Sequence, residues 1–381
     1  MDKSQKKLKV AVVYDWVNKL GGAERVLSSI MEIWPEASLY SLFYDPKGAR
    51  WAKGYRVVAS FLNKIPFAST RHEFFALLAG FGFESFDFSR FDLVISVSSY
   101  GAKGILTGCD TVHVDYCLTP TRFLYSGEKD YLDNPGFGSG NFMAKIFMKM
   151  FGGYLRDWDR VASCRPDMYI AISENVKRRI RKYYSFDSEL VYPGVDFERF
   201  DEIGRGGKVV DGDYYLVVSR LVWYKRVDLV IEAFNRCGKK IKIIGMGKEL
   251  RKLKGMAKDN IEFLGELTDE EVIRYYQGCC GVIMAGEEDF GLTSVEAQYF
   301  GKGVVAYGLG GSAETVIDGV TGVLYFEKSA DGILQGLKKF EKIEVIKKEC
   351  KDNALKFSKE RFKKMFKEVV LKKYKEVKEE L

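Results

Sequence analysis

Residues 280–300 read Cys280-Gly-Val-Ile-Met-Ala-Gly-Glu-Glu-Asp-Phe-Gly-Leu-Thr-Ser-Val-Glu-Ala-Gln-Tyr-Phe300. Val282 to Ala285 is an apolar run of the kind found in a buried strand. Gly286 breaks it into an acidic turn, and Leu292, Val295 and Tyr299 resume at helical spacing. Two carboxylates flank the change. Glu288 is expected in the turn at the C-terminal end of a parallel strand, where open α/β sheets bind ligands, and Glu296 about two turns along the helix, facing inward. Phe290, Gly291 and Leu292 would place backbone N–H groups at the helix start, which favours anions. The stretch therefore combines carboxylates for hydroxyls with backbone for phosphate.

This wording resembles the Glu-x7-Glu signature of retaining GT-B glycosyltransferases of the sugar-nucleotide-dependent family four. Ala285 to Leu292, Val295 to Gln298, Val304 to Gly311 and Glu314-Thr315 are most similar to mannosyltransferases of bacterial and archaeal polysaccharide assembly, and the resemblance extends over nearly the whole chain. It implies an α/β fold with two Rossmann-like domains facing a central cleft. Residues 1–193 would form the acceptor-binding domain, 194–357 the nucleotide-sugar-binding domain, and 358–381 a helix packing back on the first. By the same resemblance Glu288 would contact the donor sugar and Glu296 the ribose. A lone glutamate pair is ordinarily two solvated surface residues; here several other matching segments follow in the right order.

With 381 residues the chain is too long for one ordinary core, so at least two domains are expected, and 46% hydrophobic and 14% aromatic residues supply material to fill them. The formal charge of +7 is unevenly placed. Between Lys338 and Leu381 there are 16 Lys or Arg against 9 Asp or Glu, and between Phe142 and Lys182 there are 10 against 4. That distribution lacks the interleaved aromatics or reading motif of a nucleic-acid binder. It is compatible with contact at an anionic membrane surface. Seven cysteines without a Cys-x2-Cys pair argue for a reducing compartment and against a disulfide scaffold or structural zinc. The basic start is followed by an apolar run broken at Asp15, and no run approaches the ~18 apolar residues of a membrane span. A cytoplasmic location is expected, with peripheral contact at the inner face of the cell membrane.

In the first half, Leu8 to Tyr14 reads as a buried strand ending at Asp15. Gly21-Gly22 then opens a helix carrying Val26, Leu27, Ile30 and Ile33. Gly-Gly before a helix lets a phosphate approach the backbone, although it is more often only a tight turn. In similar glycosyltransferases this loop lies beside the donor phosphates and the acceptor. Runs at Ser38–Phe43, Tyr55–Ala59, Asp92–Val97 and Thr111–Tyr116 continue the strand pattern. Phe61 to Phe91, with Lys64, Arg71 and His72, reads as a pair of core helices or as a wall toward a lipid-linked acceptor.

His113 to Tyr125 resembles a family segment reading Tyr-Cys-His-Thr-Pro-Met-Arg-Tyr, with Leu118 in place of the histidine that in relatives touches the donor sugar. Asp15, His113 and Arg122 are candidates for the acceptor side, His113 being better explained as a core histidine. Asp130–Asn141 is a Gly, Asn and Pro loop able to order on acceptor. Asp157-Trp-Asp159 lies in a helical segment where carboxylates at i and i+2 diverge, so no metal site is expected there.

In the second half, Val191 to Phe200 resembles the family's interdomain segment and is followed by glycines between Gly204 and Gly207. Arg220 and Lys225 follow the strand Tyr214–Ser219 and resemble the cations that neutralise a donor diphosphate. Arg226 stands where a glycine is common. In the resembling enzymes the strand ends matching Gly245-Met-Gly247 and Gly265–Asp269 form the nucleobase pocket. From Ser358 an apolar stripe at helical spacing marks the final helix.

The expected activity is retaining transfer of a hexose, mannose from GDP-mannose, to a glycan or lipid-linked acceptor. Arg220, Lys225 and Glu288 would serve as catalytic groups. Gly21, Gly22, Gly245, Phe290, Gly291, Leu292 and Glu296 would bind the donor, with no cofactor and no bound metal. A GT-B nucleotide-sugar epimerase and a non-catalytic nucleotide-sugar binder are the alternatives, the second supported by Leu118.

Overall fold

The computed structural model describes residues 8–66, 68–69, 72–133, 141–204 and 212–380. Arg71, most of the loop between 130 and 141, and residues 205–207 of the glycine stretch lie outside the described residues.

The chain divides into two compact units, one formed by residues 1–192 with 363–381 and the other by 193–362. The first holds a seven-stranded parallel sheet. Its strands are β1 (Val10–Val17), β2 (Ser38–Tyr44), β3 (Val57–Ala59), β4 (Leu93–Ser98), β5 (Val112–Cys117), β6 (Met168–Ala171) and β7 (Ser188–Leu190), in the order β3-β2-β1-β4-β5-β6-β7. β1, β4 and β5 are rich in β-branched and aromatic residues and lie in the middle of the sheet, where both faces are covered. The helix Gly22–Ile33 buries Val26, Leu27 and Ile30.

The segment Phe61–Phe91 departs from a pair of core helices. It forms short 3-10 turns, at Phe61–Lys64 and His72–Leu78, and the six-residue helix Ala79–Glu84. Gly80 and Gly82 explain the shortness, since glycine weakens a helix. They are nevertheless required: a Cβ on Gly82 would lie 2.3 Å from Leu42 Cδ1, and one on Gly80 2.6 Å from Trp158 Nε1. Phe83 and Phe88 fill the core, whereas Phe61 and Phe81 are exposed. Within the same unit the ring of Phe366 packs against Tyr116 (5.1 Å) and Trp34 (6.2 Å), and Lys363 pairs with Glu32 at 2.8 Å.

The second unit carries a six-stranded parallel sheet: β8 (Tyr215–Val218), β9 (Ile241–Ile244), β10 (Ile261–Gly265), β11 (Gly281–Met284), β12 (Val304–Tyr307) and β13 (Gly322–Tyr325), ordered β10-β9-β8-β11-β12-β13. Apolar clusters cover both faces, one around Phe234, Ile243 and Ile333, the other around Leu216, Val282 and Ala297. Val195 bridges Ser358, and a Cβ on Gly194 would meet Lys359 Cα at 2.6 Å, so the 193–195 stretch runs tightly along the start of the last helix, Lys359–Glu380. Each sheet grows outward in both directions from one central pair, β1 and β4 in the first unit and β8 and β11 in the second. The crevice beyond the C-terminal ends of such a pair is where open α/β sheets bind ligands.

Candidate active site

The loops after β8 and β11 leave from the central pair of the second sheet, and each supplies one charged group to the same point. Lys225 ends a short 3-10 turn, Trp223–Lys225, and its Nζ donates to Glu288 Oε2 at 2.5 Å. Both side chains are largely shielded, 21% and 16% exposed. Gly286 makes the approach possible, because a Cβ there would lie 3.0 Å from both Lys225 Cα and Tyr224 O. A pocket beneath the pair is lined by Ser219, Lys225, Met284, Gly286, Glu288 and Thr293. Arg220 is more exposed, and its guanidinium donates to Tyr224 Oη at 2.8 Å.

The acidic turn is pinned by a second loop. Glu288 bridges Gly310, and Gly311 N–H donates to Glu288 O at 2.7 Å. Gly310 has φ +89°, and a Cβ on Gly311 would fall 2.3 Å from Phe290 Cα. Glycine is therefore required by backbone packing at both positions. The helix Leu292–Tyr299 starts at Gly291, with φ +99° and no side chain to cap it. Phe290 is buried and packs edge-on against Phe357 (5.4 Å), so it contributes backbone rather than a side chain to the site. Leu292 is half-buried.

Glu296 is half-buried, and its Oε2 accepts from Tyr276 Oη at 3.0 Å. Tyr276 itself is buried, stacked on Phe300 (5.8 Å). Sequence reading missed this tyrosine, since it lies on a different helix, Asp269–Gly278; the available signal was a buried tyrosine whose hydroxyl needs a partner. Behind the helix, Asn353 Nδ2 donates to Gln298 Oε1 (2.7 Å) and Thr315 O (3.0 Å), holding the elements in register. Gly245 has φ +130°, and a Cβ on it would lie 1.9 Å from Ser219 O, so its glycine character follows from strand packing whether or not a nucleotide is near.

In the first unit the candidates part company. Asp15 lies inside β1, fully buried, rather than at a loop mouth. Its Oδ2 accepts from Ser99 N–H, Ser99 Oγ and Tyr100 N–H (2.7–2.9 Å), and its Oδ1 from Gly101 and Ala102 N–H (both 2.8 Å). Five donors saturate the carboxylate and stitch β1 to the loop after β4; this geometry corrects its placement on the acceptor side, because no lone pair remains for a hydroxyl. Gly21 caps the helix Gly22–Ile33 in extended conformation, and Gly22 is its first residue. Glu24, in that first turn, is buried, accepts from Tyr14 Oη at 2.8 Å, and brings Oε2 within 3.0 Å of where a Gly21 Cβ would stand. A built-in carboxylate thus occupies the end that the Gly-Gly reading gave to phosphate, and it opposes a second anion there.

His113 is a core residue on β5, not an acceptor group. Its Nε2 lies 2.8 Å from Ser96 Oγ, which donates to Asp115 Oδ1 at 2.6 Å, while Ser98 Oγ donates to Oδ2 at 2.9 Å. Burial and Arg165 hold the imidazole pKa down at about 3, and burial pushes the Asp115 carboxyl up to about 7 against the pull of Ser96, Lys103 and Ser98. Arg122 is half-buried in a 3-10 turn, Arg122–Leu124. Leu118 follows β5, half-buried, with its N–H donating to Ser98 O at 2.8 Å. Asp157 and Asp159 diverge: the first is exposed, and the second is buried against Lys103 Nζ at 2.7 Å and Thr121 Oγ1 at 2.6 Å. Among the described residues no group of three or more His, Cys, Asp or Glu is placed to hold a metal.

Residues 198–357, nearly all of the second unit, match the family model of glycosyl transferases group 1. An uncharacterized glycosyltransferase of Methanocaldococcus jannaschii is 27% identical over 205 residues, covering 52% of this chain and 57% of the relative. The chain therefore matches little more than half the length of that relative. Glycogen synthase of Pseudomonas fluorescens is 34% identical over 148 residues, covering 36% of this chain and 30% of the synthase. Solved structures share the fold. Anabaena HepE in complex with UDP gives a TM-score of 0.67 at 18% identity, over 96% of this chain and 100% of that one. Sucrose-phosphate synthase from Thermosynechococcus elongatus gives 0.73 at 15% identity, over 96% and 98%. The architecture is GT-B, with two Rossmann-like units.

Proposed function

We propose that the protein is a retaining glycosyltransferase that moves a hexose, mannose from GDP-mannose, to a glycan or lipid-linked acceptor. The observation that carries the reading is the convergence of Lys225 and Glu288 at the central strand pair of a glycosyl transferases group 1 domain. Such a transfer breaks the bond from the anomeric carbon to the diphosphate and forms one from that carbon to an acceptor oxygen, on the same face. The acceptor's proton passes to the departing diphosphate oxygen. Charge accumulates on the diphosphate, so cations fixed there stabilise the transition state more than the ground state. Lys225 and Arg220 supply them, and the N-terminus of the helix Leu292–Tyr299 adds backbone donors. Glu288 addresses sugar hydroxyls and Glu296, steadied by Tyr276, the ribose.

The reaction is proposed to need no metal, and the enzyme to work in the cytoplasm in peripheral contact with an anionic membrane. No helix among the described residues is long and apolar enough to cross a membrane. The test offers GDP-mannose and UDP-glucose separately, with and without a glycan-acceptor panel, with and without chelator, and follows nucleotide release and product mass. Acceptor-dependent GDP release with a mass gain of one hexose supports the reading. Acceptor-independent isomerisation would indicate an epimerase, and tight nucleotide-sugar binding without turnover a binding protein. Transfer from UDP-glucose alone would move the donor assignment.

A further inference from the structure

We propose that the helix Asn141–Ser163 seats the protein on an anionic lipid bilayer through the outward face of residues 142–154. This names the element behind the membrane contact proposed above, but it does not depend on sugar transfer. The helix has two distinct sides. Leu155, Asp159 and Ala162 face the core and are buried, with Asp159 fixed by Lys103 and Thr121. On the opposite side, Phe142, Ile146, Met150 and Tyr154 form one row at i, i+4 spacing, with Met143 and Phe151 in the neighbouring row. Phe142 is 71% exposed, Met143 66% and Met150 67%. Exposure of this much contiguous apolar side chain marks an interaction surface rather than ordinary scatter.

Charge selects the occupant. From Asn141 to Arg156 the sequence contains no acidic residue, and Lys145 and Lys149 are exposed on the flank of the apolar rows. Beyond Tyr154 the outward positions become Asp157 and Arg160, both exposed and 3.9 Å apart, so the apolar rows give way to charge. An apolar face edged by lysines fits the boundary of headgroups and acyl chains, where the rings and thioethers enter the chains and the ammonium groups remain with anionic phosphates. The nearby helix Ala79–Glu84, held against Trp158 through Gly80, exposes Phe81 as well.

The experiment is vesicle flotation of the full chain with phosphatidylcholine alone and with added phosphatidylglycerol. The wild type should float with the anionic vesicles and weaken as salt rises. Phe142→Ser/Met150→Ser and, separately, Lys145→Glu/Lys149→Glu should each lower the partition coefficient by about tenfold or more. Lys372→Glu/Lys375→Glu, on the last helix, should leave it nearly unchanged. An added tryptophan in Phe142→Trp should be quenched by brominated acyl chains, and one in Val161→Trp should not. Wild-type flotation by the serine pair, flotation lost only in the last-helix pair, or absence of wild-type binding would overturn the proposal. So would a self-association that the serine pair abolishes in the absence of vesicle binding, which would assign the face to a second copy of the chain. Should the serine pair fold poorly by its melting curve, the lysine pair and the quenching carry the test alone.

Discussion

Lys225 Nζ stands 2.5 Å from Glu288 Oε2, so the cation assigned to the diphosphate and the carboxylate assigned to the sugar neutralise each other across the central strands of the second unit. A diphosphate must draw the ammonium toward itself against that attraction. Removing the carboxylate charge therefore does not weaken a nucleoside diphosphate, which carries no sugar at this point.

Glu288→Gln is expected to lower kcat by roughly a hundredfold, the scale of losing one preorganised electrostatic partner, while GDP affinity stays unchanged or tightens. Glu296→Gln should do the reverse, raising the donor KM and weakening GDP with a smaller change in kcat. Calorimetric titration of GDP beside steady-state kinetics distinguishes them; equal weakening of GDP by both would refute the division of labour.

Lys225→Ala and Arg220→Ala should each reduce turnover by roughly a hundredfold or more with the fold intact. The Arg220 guanidinium is exposed and bonds the Tyr224 hydroxyl at the surface, so its loss should leave the melting temperature unchanged. Normal rates in both variants would take these residues out of the mechanism.

Tyr276→Phe removes one neutral-to-carboxylate hydrogen bond and little packing. An effect of about 1 to 2 kcal/mol on Glu296 positioning is expected, read as roughly five- to thirtyfold weaker GDP binding with kcat at saturating donor nearly preserved. A fall in kcat alone would show that the tyrosine acts otherwise.

In the first unit, His113 and Asp115 set opposing pH dependences. The histidine has a folded pKa of about 3 against 6.5 unfolded, so its contribution to stability is present above pH 6.5 and is lost as pH falls. Asp115 has a folded pKa of about 7 against 3.8, so its contribution is present at low pH and is lost as pH rises toward 7. Between pH 7 and 5 the two trends oppose. Asp115→Asn removes the second, and denaturant unfolding should then show a loss of about 2 kcal/mol from pH 7 to 5 beyond any seen in the wild type. Identical pH slopes in both proteins would count against this account.

The strand and helix alternation, and the turn at Glu288, were legible because buried parallel strands and amphipathic helices leave periodic apolar patterns. Other features are visible only in three dimensions. The five donors to Asp15 come from residues more than eighty positions away, and nothing in its immediate neighbours distinguishes a saturated core carboxylate from one facing a ligand. A carboxylate in a first helical turn such as Glu24 reads in sequence as ordinary capping chemistry, yet its burial decides the electrostatics of the Gly21-Gly22 end. Arg226 shows the converse: the sequence marked the position as one where glycine is common, and its φ of +53° supplies the physical reason, with Asp228 holding the guanidinium at 3.1 Å.

The buried ring of Phe366 between Trp34 and Tyr116 has a consequence for synthesis. The first unit is discontinuous: residues 1–192 lack the helix segment that covers these two aromatics, and that segment is translated only after all of 193–362. At roughly 5 to 20 residues per second, the gap between making Tyr116 and making Phe366 lasts on the order of ten seconds or more. During that interval the first sheet lacks the ring that covers these two aromatics. The seam at Trp34 and Tyr116 can therefore close only once the whole of the second unit has been made.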